Sequence, residues 1–142
     1  MTTPREVIEA WFYRVWTKED STAIEELFIP DGEARGLGAN VLIGPEGFKQ
    51  FHSSLCGLLS DFVIMIDKSI ESGDWISAVC TLRAKGRQSG EADEITGSVM
   101  VRIVDGKLTE AYNHWDFLGL FSQLELLPRD TFERALSGKK VI

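Results

Sequence analysis

Two histidines and two cysteines are all that these 142 residues hold of the side chains that most often bind transition metals. A closed zinc site takes about four such ligands, and two histidines with two separated cysteines do not indicate one. No metal centre is therefore expected. No stretch of about 18 apolar residues occurs, which argues against a membrane span. Met1 to Glu6 lack the basic start and apolar run of a secretory leader. Basic residues are outnumbered 15 to 22, for a net charge of −7, and they cluster only at Lys139-Lys140. A phosphate backbone wants a basic surface, so nucleic acid is not an expected partner. Neither a G-x-x-x-x-G-K-[ST] phosphate loop nor a G-x-S-x-G nucleophile elbow is present. Without these motifs no cofactor is expected. Cys56 and Cys80 sit within apolar stretches and read as small core residues of a reduced, cytoplasmic protein.

What the chain does contain is a change of hydrophobic period. Val7, Ile8, Trp11, Phe12 and Val15 recur at helical spacing behind Thr3-Pro4, which predicts a helix over 4–17. A second short helix is predicted over 21–28. A turn follows at Pro30-Asp31-Gly32, then a bent hairpin between Glu33 and Ile43. Gly44-Pro45-Glu46 opens a third helix with the inner stripe Phe48, Phe51, Leu55, Leu58 and Leu59. From Phe62 the period becomes two, predicting strands over 62–72, 75–85, 94–104 and 107–117, with tight turns at Gly73-Asp74 and Asp105-Gly106. Pro128 starts a last helix. Helices first and a strand meander second define an α+β class. The chain length suits one domain, 1–142, able to bury roughly 68–70% of its unfolded surface. Three helices over one face of a twisted antiparallel sheet leave an apolar pocket between them, suited to a small apolar molecule.

The candidate chemistry lies at the end of the last strand. Side chains two apart share a face, so Tyr112, His114 and Asp116 point the same way. A phenol, an imidazole and a carboxylate together in an apolar pocket have the means to move protons. A buried carboxylate titrates higher than usual and becomes a usable base. The alternative for Asp116 is to cap the helix that begins at Phe117. His52 lies at the edge of the third helix's inner stripe, and Tyr13 and Trp16 flank that of the first. Asp31 belongs to the Pro-Asp-Gly turn. Each is either a pocket residue or a core, boundary or turn residue. Arg83 and Arg102 fall within strands, where they fit cross-strand pairs with acids such as Glu94.

Ile103-Val104-Asp105-Gly106-Lys107-Leu108-Thr109-Glu110, followed by Asp116-Phe117-Leu118-Gly119-Leu120 and Gln123-Leu124, resembles the closing pattern of the nuclear-transport-factor-2-like superfamily. More narrowly it resembles the SnoaL-like polyketide cyclase group, close to ketosteroid isomerase. Weaker likenesses are Phe12-Tyr13 with Val15-Trp16, Pro30-Asp31 and Gly44-Pro45-Glu46-Gly47. The resemblance spans about residues 5–125. It implies a cone-shaped, curved antiparallel sheet covered by three N-terminal helices (a cystatin-like α+β barrel), and a homodimer. It also implies an acid/base role for Asp116 and pocket positions for Tyr13, Trp16 and Asp31; spacing adds His114 as a second acid/base and Tyr112 and His52 as substrate contacts. The expected activity is a cofactor-independent isomerisation, aldol-type cyclisation or hydrolysis of an apolar carbonyl compound. The competing expectation is a non-catalytic module of the same fold that binds an apolar ligand or pairs with another chain.

Overall fold

The computed structural model describes residues 2–142. Its first helix, α1 (Pro4–Trp11), begins with Thr3 accepting a hydrogen bond from the Glu6 amide at 3.1 Å and with Pro4 in the first turn. That satisfies one of the amides a helix start leaves free. The helix then widens into a π-helical turn over Phe12–Thr17. α2 (Ser21–Leu27) is capped by Asp20, whose side chain accepts from the Thr22 amide. α3 (Gly44–Leu58) runs from the Gly-Pro-Glu start expected of it. The other elements are β1 (Phe28–Arg35), β2 (Leu42–Ile43), β3 (Leu59–Ser72), β4 (Trp75–Gly86), β5 (Ala92–Val104), β6 (Lys107–Trp115), α4 (Phe117–Gln123) and α5 (Thr131–Leu136).

The six strands form one sheet in the order β2-β1-β6-β5-β4-β3. β3 to β6 are the antiparallel meander that the two-residue period requires. The sheet as a whole is mixed, because β1 runs parallel to β6. The chain leaves α2 directly into β1, and Pro30-Asp31-Gly32, expected as a turn, lies inside that strand. Its β1–β6 register shifts between Phe28 and Glu33, where Pro30 has no amide to give the ladder. The hairpin expected over 33–43 is present as the β1–β2 pair, Glu33 opposite Ile43.

One face of the curved sheet packs on the helices. On β4 and β5 the buried residues alternate strictly, Ile76, Ala78, Cys80, Leu82 and Ala84 against Ile95, Val99, Val101 and Ile103. Helical aromatics pack on one another and on the sheet: the Trp11 and Phe48 rings lie 5.0 Å apart at 67°, and Trp16 lies 5.3 Å from Phe62 of β3 at 49°. Such pairs contribute about 0.5–1.5 kcal/mol beyond their burial, which makes them specific as well as apolar. No helix among the described residues is long and apolar enough to cross a membrane.

One cross-strand pair sets the depth of the cone. Gly97 on β5 stands opposite Trp115 on β6, and a Cβ at Gly97 would overlap the Trp115 ring. The indole lies over the strand only because its partner has no side chain. Gly97→Ala is therefore expected to force Trp115 out of place and to lower unfolding free energy by about 1–3 kcal/mol. Urea unfolding with an unchanged m-value would check this.

Candidate ligand cavity

The helices and the sheet enclose a cavity of about 50 Å³. Trp11, Phe12 and Trp16 wall it from the first helical segment, and Phe48, Phe51 and Leu55 from α3. Val99 and Val101 close it from β5, and Ala111, Asn113 and Trp115 from β6. None of the residues lining it has a titratable side chain. The one carboxamide is that of Asn113, which follows Ala111 by two positions and so shares its inward face. Asn113 donates from Nδ2 to the Arg35 carbonyl oxygen at 3.0 Å. Its second N–H and its Oδ1 remain for another partner. At about 50 Å³ the space holds a few waters, against the roughly 300–1,000 Å³ usual for a ligand pocket.

Tyr112, His114 and Asp116 do share a face, but it is the opposite one. All three are exposed, on the outer surface of the sheet. Ala111, Asn113 and Trp115 satisfy the cone, so the residues between them must point away. Tyr112 stacks on Trp75, ring centres 6.4 Å apart at 26°. His114 opens onto a shallow outer groove with Asp67 and Thr96. Asp116 caps α4, its Oδ1 accepting from the Gly119 amide at 2.9 Å, so the capping alternative describes its place. What α4 brings to the cavity is Phe117, packed edge-on against Phe51 at 6.1 Å and 77°.

Of the remaining candidates, Trp16 lines the cavity and is 6% exposed. Tyr13 does not line it. Tyr13 lies on the outer side of the π-helical turn, with Lys18 Nζ 5.3 Å from its ring centre. Asp31 is exposed on β1, away from the cavity wall. His52 is buried, but its task is structural: Nε2–H donates to the Val15 carbonyl oxygen at 2.7 Å, and the ring packs on Trp16 at 4.8 Å. The π-helical turn explains the need. The amides of Lys18, Glu19 and Asp20 bond to Tyr13, Trp16 and Arg14, which leaves the Val15 oxygen to the imidazole. Both cysteines are unpaired thiols. Burial pushes Cys56 up to about 12 and Cys80 up to about 11, so neither supplies a thiolate nucleophile near neutral pH. Asn113 is the polar cavity residue that the sequence reading missed. Its place midway between Ala111 and Trp115, on the face those two apolar residues share, is the signal that could have found it.

The fold has counterparts among solved structures. The SnoaL-like polyketide cyclase family profile matches residues 6–124, and the chain belongs to that family. A candidate SnoaL-like polyketide cyclase from Jannaschia sp. CCS1 superposes with a TM-score of 0.75 at 16% identity, over 88% of this chain and 93% of that one. IdmH, a candidate polyketide cyclase from Streptomyces antibioticus, gives 0.74 at 18%, over 87% and 99%. A protein of ketosteroid isomerase-like fold from Catenulispora acidiphila DSM 44928, solved with trimethylamine, gives 0.73 at 19%, over 87% and 95%. At such identities these likenesses speak to fold. Comparison with curated proteins gives no match. The family and its neighbours point to the class of small-molecule cyclases and isomerases.

The two histidines are expected to separate cleanly. His52→Ala leaves the buried Val15 oxygen without its donor and opens a gap beside Trp16, so it should cost about 2–4 kcal/mol of stability. His114→Ala, on the exposed face, should stay within about 0.5 kcal/mol. Thermal and urea unfolding of both variants measure the difference. Equal effects would contradict these placements.

Proposed function

We propose that this protein takes an uncharged, mainly apolar compound into the cone and promotes its cyclisation or isomerisation. It would do so by holding the compound folded, away from water, with one oxygen against Asn113. The observation that carries the reading is a wall with a single carboxamide and no titratable side chain. A charged ligand would enter without a counter-ion, a cost of several kcal/mol. A neutral carbonyl would find the Asn113 carboxamide N–H, beside the indole N–H groups of the wall, in a low-dielectric setting where a hydrogen bond counts for more than in water. With no acid or base in the wall, rate enhancement comes from orientation and exclusion of solvent, which suits ring closures limited by how an apolar chain folds on itself. The same absence favours one competing reading, a cavity that binds such a compound without turnover. Turnover of whatever neutral compound copurifies separates the two.

A ligand series tests the reading. 2-Acetylnaphthalene, 2-ethylnaphthalene and 2-naphthoate share a body and differ in head group. The ketone is expected to bind and the carboxylate to be rejected at pH 7. Asn113→Leu should weaken the ketone about tenfold relative to the hydrocarbon, the loss of one buried hydrogen bond. Titration calorimetry provides the affinities. Binding of the carboxylate as tight as the ketone, or an Asn113→Leu variant indifferent to the ketone, would overturn it.

We further propose that two copies pair through the outer sheet face. Trp75, Val79, Met100 and Tyr112 form an apolar centre there, with Val79 and Met100 each 47% exposed. The ion pairs Arg83–Glu94 at 2.6 Å and Arg102–Asp74 at 3.6 Å flank it. An apolar middle with a charged rim is how protein interfaces are built. Light scattering at micromolar concentration should give the mass of a dimer for the parent chain and of a monomer for Met100→Glu. A parent chain that is monomeric under those conditions would contradict the pairing.

A further inference from the structure

We propose that Leu37 is a movable plug that sets which compounds enter the cavity and how fast. This rests on the reading that the cone takes an apolar ligand. Among the described residues that line the cavity, Leu37 alone lies outside a helix or strand. It sits in the irregular segment 36–41 that links β1 to β2, and it is 9% exposed while Gly36, Gly38, Ala39 and Asn40 around it are exposed. An apolar side chain thus reaches inward from a stretch of backbone that otherwise faces water.

The two flanking glycines differ in a way that makes a hinge. Gly36 has φ of +86°, and a Cβ there would overlap the Asn113 carbonyl oxygen, so this end of the segment is packed tightly on β6. Gly38 has φ of +120°, and a Cβ there would meet nothing within 4 Å, so the other end is unpacked. Leu37 lies between a pinned point and a free one. The Asn113 side chain holds the pinned end as well, through its bond to the Arg35 oxygen next to Gly36. The residue placed to receive a ligand oxygen is therefore also the residue that anchors the plug. A compound larger than the few waters that fit in about 50 Å³ must displace something, and every other wall residue is held in regular structure.

A plug of this kind keeps the open state minor, on the order of 0.1–10%, and reduces apparent affinity and association rate by that fraction. Leu37→Ala should speed stopped-flow association of 2-acetylnaphthalene at least about tenfold and should admit 2-acetylanthracene, which the parent chain takes up slowly. Leu37→Trp should slow association of the smaller ketone. Leu42→Ala removes a leucine of β2 that packs on the core but does not line the cavity, so it should leave the rates unchanged. An effect confined to dissociation would mean that Leu37→Ala merely adds volume, and would overturn the plug. So would association rates equal to those of Leu42→Ala. If the parent chain and all variants bind none of the neutral ketones, the cavity reading fails, and the plug fails with it. Binding by the parent chain at a rate indifferent to Leu37 rejects the plug alone.

Discussion

From Glu110 to Trp115, past a register shift near Leu108, the pleat assigns each side chain of β6 to one of two environments. Ala111, Asn113 and Trp115 face the cone, and Tyr112 and His114 face the outside. The register with β5 allows no compromise, because Gly97 opposite Trp115 is the notch that lets the indole lie inward. A slip of one residue would send His114 among Trp16, Phe51 and Val99 and expose Trp115. The aromatic packing of α1, the π-helical turn and α3 then closes over whatever that strand presents. The chemistry of the cavity therefore follows largely from this alternation, and it is that of one carboxamide among aliphatic and aromatic side chains.

This arrangement divides labour among polar groups that are close in sequence. Asn113 keeps hydrogen-bonding capacity inside the cone. Asp116, three residues on, spends an oxygen on the Gly119 amide to start α4 and so brings Phe117 to the wall. His52, also beside the cavity, is committed to the Val15 oxygen that the π-helical turn leaves free. π-bulges inside helices often sit at functional sites. Here the widened turn carries Phe12 and Trp16 into the cavity wall, and the imidazole offsets the backbone bond it forgoes. The outer face keeps Tyr112, His114 and the paired charges, away from the cavity wall.

Much of the fold was legible because it rests on periodicity and on turn chemistry. The meander, the Asp105-Gly106 hairpin and the Gly44-Pro45 helix start are local signals, and they agree with the tertiary contacts. The parallel β1–β6 pairing was not legible, since Pro30-Asp31-Gly32 reads as a turn and only the neighbouring strand makes it extended. The site was half legible. Parity correctly grouped Tyr112, His114 and Asp116, but parity has no sign. Chemical interest favoured the face with the titratable groups, whereas burial favours the face with Ala111 and Trp115. Asn113 was overlooked because an isolated asparagine in a strand carries no motif. The role of His52 depends on a carbonyl 37 residues away, which no local pattern encodes. Leu37 looks like any loop leucine until the cavity it enters is seen.

In the proposed function, ligands meet the inward face of β6 and its one carboxamide. Side-chain amide and indole resonances in a ¹H–¹⁵N spectrum report this directly when 2-acetylnaphthalene is added. The Asn113 carboxamide and the Trp16 indole should shift together, while the Trp75 indole on the outer face stays in place. Shifts centred on Trp75 and His114, with Asn113 and Trp16 unmoved, would contradict the account.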